Sequence, residues 1–328
     1  MKTLSLVIIT FCVLSAGCAR QRTVQRTETI MGTQVTITVV APTAGEAEAA
    51  VEAGMAELRR LDAMMSLYKD DSEITMVNRV AGRGSVKVSP EMIEVVDAAA
   101  EVSKLSDGAF DVTVGPLVVL WQMKLKGGDL PTAAEISRVL PLVNYRNVVI
   151  DRKASTIFLR RSGMIMDLGG CAKGYGADRV AAIFRGRGIT NAVIAVAGDI
   201  WVLGNREDGK PWRIGVQHPR DKDRTLAVLE LRDRYISTSG DYERFVIREK
   251  KRLHHIIDPR TGAPSEGAIS VTLVGDRGAL VDPLTTALFI LGQERGTAIA
   301  EKLGVDAIFV DSGGTVRTTR GMAAAMRD

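Results

Sequence analysis

Apolar positions recur along the chain with more than one spacing, and each spacing predicts a different element. Over residues 34–40 they alternate, Val35, Ile37 and Val39 against Thr36 and Thr38, as in a half-buried strand. Over 43–65 they fall three and four apart instead, so Val51, Met55, Leu58, Leu61 and Met65 share one side of a helix. Ser89-Pro90-Glu91 opens a second helix with a serine cap and a proline in its first turn, and Met92, Val95, Val96 and Ala99 form the apolar face. Apolar runs at 148–150 and 156–159 flank a polar turn, which predicts a hairpin, while the charged, glycine-containing segment 124–131 reads as a surface loop. A helix over 175–184 precedes strands at 192–196, 212–216, 226–231, 245–247 and 268–274. Helices over 282–291 and near 295–303 and a strand at 307–310 complete the series. Strands come in hairpin-like runs with few strand–helix–strand units, which favours an α+β class with largely antiparallel sheets.

The N-terminus changes this picture from one body to a body with a leader. Lys2 precedes an apolar run over 4–14, too short for a confident membrane span, and then comes Leu14-Ser15-Ala16-Gly17-Cys18. A small-residue cleavage site directly before a cysteine resembles a bacterial lipoprotein signal; the blander alternative is an ordinary secretory signal with an incidental cysteine. This reading makes 1–17 a signal peptide, Cys18 the lipidated first residue, 18–28 a polar tether and 29–328 the folded domain. The protein would be lipid-anchored on the periplasmic side of a bacterial membrane, inner or outer, with Ala19 weakly favouring the outer one.

The remaining composition narrows the chemistry. Cys12 lies in the signal and Cys18 would be acylated, leaving Cys171 alone, so a disulfide framework is excluded. With three histidines in all, a Cys/His zinc site is excluded too, and any metal should be a hard, oxygen-bound ion. The net charge of +4 is mild and no Lys/Arg cluster is interleaved with aromatics, so nucleic acid is not expected as a partner.

Five polar segments carry candidate chemistry. Met166-Asp167-Leu168-Gly169-Gly170-Cys171-Ala172-Lys173-Gly174-Tyr175 runs from an apolar stretch through an acid and a glycine turn into a helix start, a geometry that suits an anion. Gly108-Ala109-Phe110-Asp111-Val112-Thr113 sets an acid in an apolar context, where Asp111 could simply cap a turn. Ile236-Ser237-Thr238-Ser239-Gly240-Asp241-Tyr242-Glu243-Arg244 is a hydroxyl-rich turn pattern, and His254-His255-Ile256-Ile257-Asp258-Pro259 surrounds a proline turn. In Val281-Asp282-Pro283-Leu284-Thr285-Thr286, Asp282 reads first as a helix N-cap followed by a tolerated proline. A sharper reading has Asp282 and Thr286 offering oxygens from one side of a helix start, which is what Mg²⁺ selects.

In this order, the segments resemble the ApbE-like family of FAD:protein FMN transferases. The likeness runs from Met31-Gly32-Thr33, through Ser66-Leu67-Tyr68-Lys69-Asp70-Asp71-Ser72 with Asn78, to the last helix. The resemblance implies a T-fold-like α+β domain that binds FAD, splits its pyrophosphate and joins FMN by a phosphoester to a threonine or serine of a target protein, releasing AMP. It implies Mg²⁺ on Asp282, Thr286 and the Gly170 carbonyl, with Thr285 assisting. Flavin and adenosine contacts would come from Met31, Ala109, Phe110, Asp111, Asp167, Lys173 and Ile257. His255 would take or position the acceptor hydroxyl proton. Acceptors would be flavin-bearing subunits of membrane redox complexes, modified within an Asp-Gly-x-[Ser/Thr]-Gly-Ala-[Thr/Ser] segment. Two alternatives stay open on sequence: an Mg²⁺-dependent FAD hydrolase giving FMN and AMP, and a non-catalytic flavin-binding lipoprotein.

Overall fold

The computed structural model describes residues 21–248 and 251–327. The signal segment 1–17 and the lipid site Cys18 lie outside the described residues. In chain order the first half contains β1 (Arg22–Ile30), β2 (Thr33–Ala41), α1 (Ala44–Met65), α2 (Glu73–Arg79), β3 (Val86–Lys87), α3 (Pro90–Leu105), α4 (Gly115–Lys126), α5 (Ala133–Val139), β4 (Val148–Asp151) and β5 (Thr156–Leu159). Then follow α6 (Ala172–Gly186), β6 (Asn191–Val196), β7 (Asp199–Leu203), β8 (Trp212–Gln217), β9 (Thr225–Leu231), β10 (Arg234–Gly240), β11 (Phe245–Arg248) and β12 (Lys251–His254). The chain closes with β13 (Ser270–Gly275), α7 (Gly278–Leu303), β14 (Asp306–Val310), β15 (Val316–Thr318), α8 (Arg320–Ala325) and β16 (Met326–Arg327).

Eight strands form the central sheet in the order β1-β2-β6-β7-β10-β13-β14-β15, and its ladders are antiparallel throughout. Helices α1, α6 and α7 cover one face; a three-stranded sheet, β16-β9-β8, covers part of the other. Alternation decides which side chain goes where: Tyr235, Leu273 and Phe309 point into the helical core, while their neighbours Ile236, Val274 and Ile308 pack against β8 and β9. The α+β class with largely antiparallel sheets expected from the sequence is therefore what forms.

Several expectations need correction. Residues 22–28 are not a tether: β1 pairs residue for residue with β2, from Arg22 opposite Ala41 to Ile30 opposite Thr33. The segment reads as polar because it is an edge strand, and its charges are used, Arg26 pairing with Glu52 and Arg59 with Glu28 at 3.2 Å. The supposed loop 124–131 begins only at Gly127, since α4 runs on to Lys126. The hydroxyl-rich turn 236–240 is a central strand, because its hydroxyls find partners inside the fold, Ser237 on Asp199 and Thr238 on Thr272. Asp282 does not cap its own helix either; α7 starts four residues earlier, at Gly278.

What replaces that cap is an exchange between two helices. Asp178 of α6 accepts the first amides of α7, Gly278 N at 2.8 Å and Ala279 N at 2.9 Å. Asp282 of α7 accepts Gly174 N of α6 at 2.8 Å. Each helix thus satisfies orphan N–H groups at the start of the other. The exchange requires close approach, and a Cβ on Gly174 would lie 2.2 Å from the Gly278 carbonyl oxygen.

Candidate functional site

The central sheet brings two hairpin tips to the same end, because Val35 of β2 pairs with Val196 of β6. The tips are Met31-Gly32 and Ala197-Gly198, and each begins with a non-glycine residue in left-handed backbone, Met31 at φ 54° and Ala197 at φ 55°. Such a conformation costs about 1–2 kcal/mol for a residue with a side chain. Both tips line a cleft of about 740 Å³ closed by the 109–114 loop and the start of α4, the start of α6, α7, β8 and the turn after β12. Met31, Ala109, Phe110, Asp111, Asp167, Gly170, Lys173, His255, Ile257, Asp282 and Thr286 all line it.

Thr285 does not. It is fully buried, and its hydroxyl donates to the Val281 carbonyl at 2.6 Å, so its oxygen belongs to the helix backbone. One residue on, about 100° further round the helix, Thr286 reaches the cleft with its hydroxyl 3.3 Å from that of Ser239. The expectation that both threonines could serve a metal is corrected accordingly.

Asp282 is the buried centre of the polar wall. Its Oδ2 holds Gly174 N, and its Oδ1 lies 3.6 Å from the Lys173 ammonium, which also contacts Asp199. Asp199 in turn accepts the hydroxyls of Ser237 at 2.6 Å and Tyr235 at 2.8 Å. Burial and then the Asp199 charge push the Asp282 carboxyl above the usual carboxylate range, with Lys173 opposing. Burial would lower the Lys173 pKa, but the two carboxylates outweigh it and keep the ammonium charged. With Asp282 ionised, two carboxylates against one ammonium leave this cluster net negative. Among the described residues no group of three His, Cys, Asp or Glu side chains gathers as a metal site. A cation here would draw on one carboxylate together with hydroxyl and carbonyl oxygens.

The motif around Asp167 is held by structure further off. Asn78 grips the Met166 backbone twice, donating to its carbonyl at 2.9 Å and accepting its amide at 2.8 Å. Asp167 folds back onto Gly169 N at 2.8 Å, and its pKa is raised by burial. The Phe110 ring covers Gly170, where a Cβ would come within 3.1 Å of it. Cys171 stands at the root of α6, its thiol donating to the Leu168 carbonyl at 3.5 Å; burial first, then the charges of Asp282 and Asp167, hold that thiol well above the usual range. Asp111 braces its own loop: its oxygens accept the Thr113 amide at 2.8 Å, the Thr113 hydroxyl at 2.7 Å and the Tyr145 amide at 2.7 Å.

The two neighbouring histidines divide. His254 is buried, with Nε2 2.8 Å from the Ser265 carbonyl, Nδ1 accepting the Ile256 amide at 3.2 Å and the ring edge-on to Phe289. His255 faces the cleft with Nδ1 3.3 Å from the Arg244 carbonyl. A carbonyl only accepts, so Nδ1 carries the hydrogen and Nε2 keeps its lone pair. Desolvation, then Arg244, pushes the His255 pKa down to about 4, which leaves the imidazole neutral at physiological pH.

Sequence reading missed Asp199, Arg244 and Tyr68, all on the cleft. Asp199 follows an Ala-Gly turn between two apolar runs, a context that marks a hairpin but not a partner for Lys173. Tyr68, 89% exposed, could have been found as an aromatic ring directly before the charged run Lys69-Asp70-Asp71.

The ApbE family model matches residues 31–309. An FAD:protein FMN transferase of Klebsiella pneumoniae is 35% identical over 256 residues, covering 77% of this chain and 79% of that protein. One from Treponema pallidum is 31% identical over 328 residues, covering 95% of this chain and 91% of its own. Among solved structures, an ApbE protein of Thermotoga maritima superposes with a TM-score of 0.86 at 29% identity, covering 94% of this chain and 100% of its own. The flavin transferase ApbE of Vibrio cholerae gives 0.82 at 29%, covering 93% and 99%.

Proposed function

Given that the chain belongs to the ApbE family and is an FAD:protein FMN transferase, we propose that it joins FMN through a phosphoester to a threonine or serine hydroxyl of an acceptor protein and releases AMP, with Mg²⁺ in the site. The observation that carries this reading is the convergence, on one cleft, of a glycine turn at a helix start, a buried carboxylate beside an ammonium, and a neutral histidine with a free Nε2.

The acceptor oxygen bonds to the phosphorus nearer the riboflavin. The bond from that phosphorus to the bridging oxygen breaks, AMP leaves with that oxygen, and the hydroxyl proton passes to His255 Nε2. The Gly169-Gly170 turn before α6 would face the phosphates, and Asp167 beside it would contact the flavin or adenosine. With Asp282 ionised, the Lys173–Asp199–Asp282 cluster is net negative and by itself repels a pyrophosphate; a divalent cation would reverse the sign. Asp282, Thr286 and the Gly170 carbonyl would hold it, and these are the oxygen donors that Mg²⁺ selects. When bound, Mg²⁺ supplies charge neutralisation at the pyrophosphate oxygens.

The acceptors in this reading are flavin-bearing subunits of membrane redox complexes, met on the periplasmic side by a protein anchored through lipidated Cys18. The test is mass spectrometry of an acceptor protein carrying the Asp-Gly-x-[Ser/Thr]-Gly-Ala-[Thr/Ser] segment, incubated with the chain, FAD and Mg²⁺. A mass gain matching FMN with AMP release, both lost in Asp282→Ala, is expected. AMP and free FMN without labelled protein would make the chain a hydrolase, and intact bound FAD would make it a carrier.

A further inference from the structure

We propose that the acceptor segment docks as an added strand along the open edge of β8, an inference that rests on the transferase reading above. β8 is the outer strand of the sheet β16-β9-β8 and pairs with β9 along one side. Among the described residues, no backbone or side-chain hydrogen bond reaches the main chain of 213–217 from the other side. Ile214, Gly215, Val216 and Gln217 all line the cleft. Successive side chains of a strand point to opposite faces, so four consecutive lining residues mean that the cleft meets this strand along its edge.

An open edge is a pairing hazard that proteins ordinarily guard. The central sheet obeys that rule: edge strand β1 carries Arg22, Arg26 and Glu28, and edge strand β15 is three residues long with Arg317 at its centre. Between Arg213 and Gln217, β8 has no charged residue. Its start is pinned by Trp212, whose Nε1 donates to the Leu203 carbonyl at 2.9 Å. A pinned, unguarded edge inside the site suits an extended peptide, which gains main-chain hydrogen bonds there whatever its side chains. The same cleft holds His255, so a hydroxyl on that peptide is delivered to the wall where its proton is taken.

The test uses the full chain, FAD, Mg²⁺ and a synthetic acceptor peptide, with single backbone N-methyl groups placed at each residue in turn. N-methylation is expected to raise KM about tenfold at every second residue and little at those between, with kcat unchanged. Amide hydrogen exchange of 213–217 is expected to slow when the peptide, or the whole acceptor protein, is added and not with FAD alone. Sensitivity without a two-residue period overturns the added strand, as does an unprotected β8 at saturating acceptor. Protection by FAD alone assigns the edge to the nucleotide and overturns it as well. AMP release with no labelling of any acceptor would instead sink the transferase reading, and this inference with it.

Discussion

The two sides of the cleft are built in opposite ways. On one, Lys173, Asp199 and Asp282 hold one another and the start of α6, with Asp199 and Asp282 almost without solvent contact. On the other, the β8 edge, the Tyr68 ring and Nε2 of His255 face the cleft without a hydrogen-bond partner among the described residues. The committed side is pre-organised for a ligand that is always the same, a pyrophosphate whose charge must be met without rearrangement. The uncommitted side has groups to spare for a ligand that is itself a protein. Loss of a residue from the first side should therefore damage fold and chemistry together, whereas loss from the second should damage chemistry alone.

The sharpest break is Asp282→Ala. It removes the acceptor of Gly174 N and the second carboxylate beside Lys173, which keeps Asp199, so FMN transfer should fall by roughly three orders of magnitude and stability by about 1–3 kcal/mol. AMP release and thermal unfolding, measured on the same preparation, check both. His255→Gln should lower transfer about 10²–10⁴-fold while leaving FAD affinity and the unfolding midpoint in place. The wild-type rate should follow the neutral imidazole, complete above pH 5 and declining as pH falls through about 4. An acid limb centred nearer 6.5 would mean that His255 keeps an ordinary imidazole pKa, and a limb that persists in His255→Gln would remove it from the proton transfer. Gly174→Ala should cost about 1–3 kcal/mol, because its Cβ meets the Gly278 carbonyl and prises the two helices apart. The smallest contrast is the most discriminating: Thr286→Val should raise the Mg²⁺ concentration needed for half-maximal activity several-fold, while Thr285→Val should leave it unchanged.

That last pair also marks where sequence reading stopped. Elements with strong period, such as α1, β2 and α3, were legible because burial on one face writes itself into the spacing. The candidate residues from Met31 to Thr286 were named through the family resemblance, which motifs of turn glycines and polar side chains in apolar settings carry. Which of two adjacent threonines faces the cleft depends on helix phase, and that phase depends on where α7 begins. Its start at Gly278 is set by Asp178, 100 residues away in sequence. The polar strand β1 read as a tether for a similar reason, its partner Arg59 lying on a helix beyond the next strand.

Cys171 turns this construction into an instrument. It is the one cysteine among the described residues, sealed beneath the glycine turn at the root of α6. A thiol that is both inaccessible and protonated reacts with an alkylating reagent only in molecules whose α6 has momentarily come away from the turn. The labelling rate at Cys171 is then a clock for how often the phosphate-facing wall opens. Occupancy of the cleft should slow that clock in proportion to how tightly the ligand holds the wall shut.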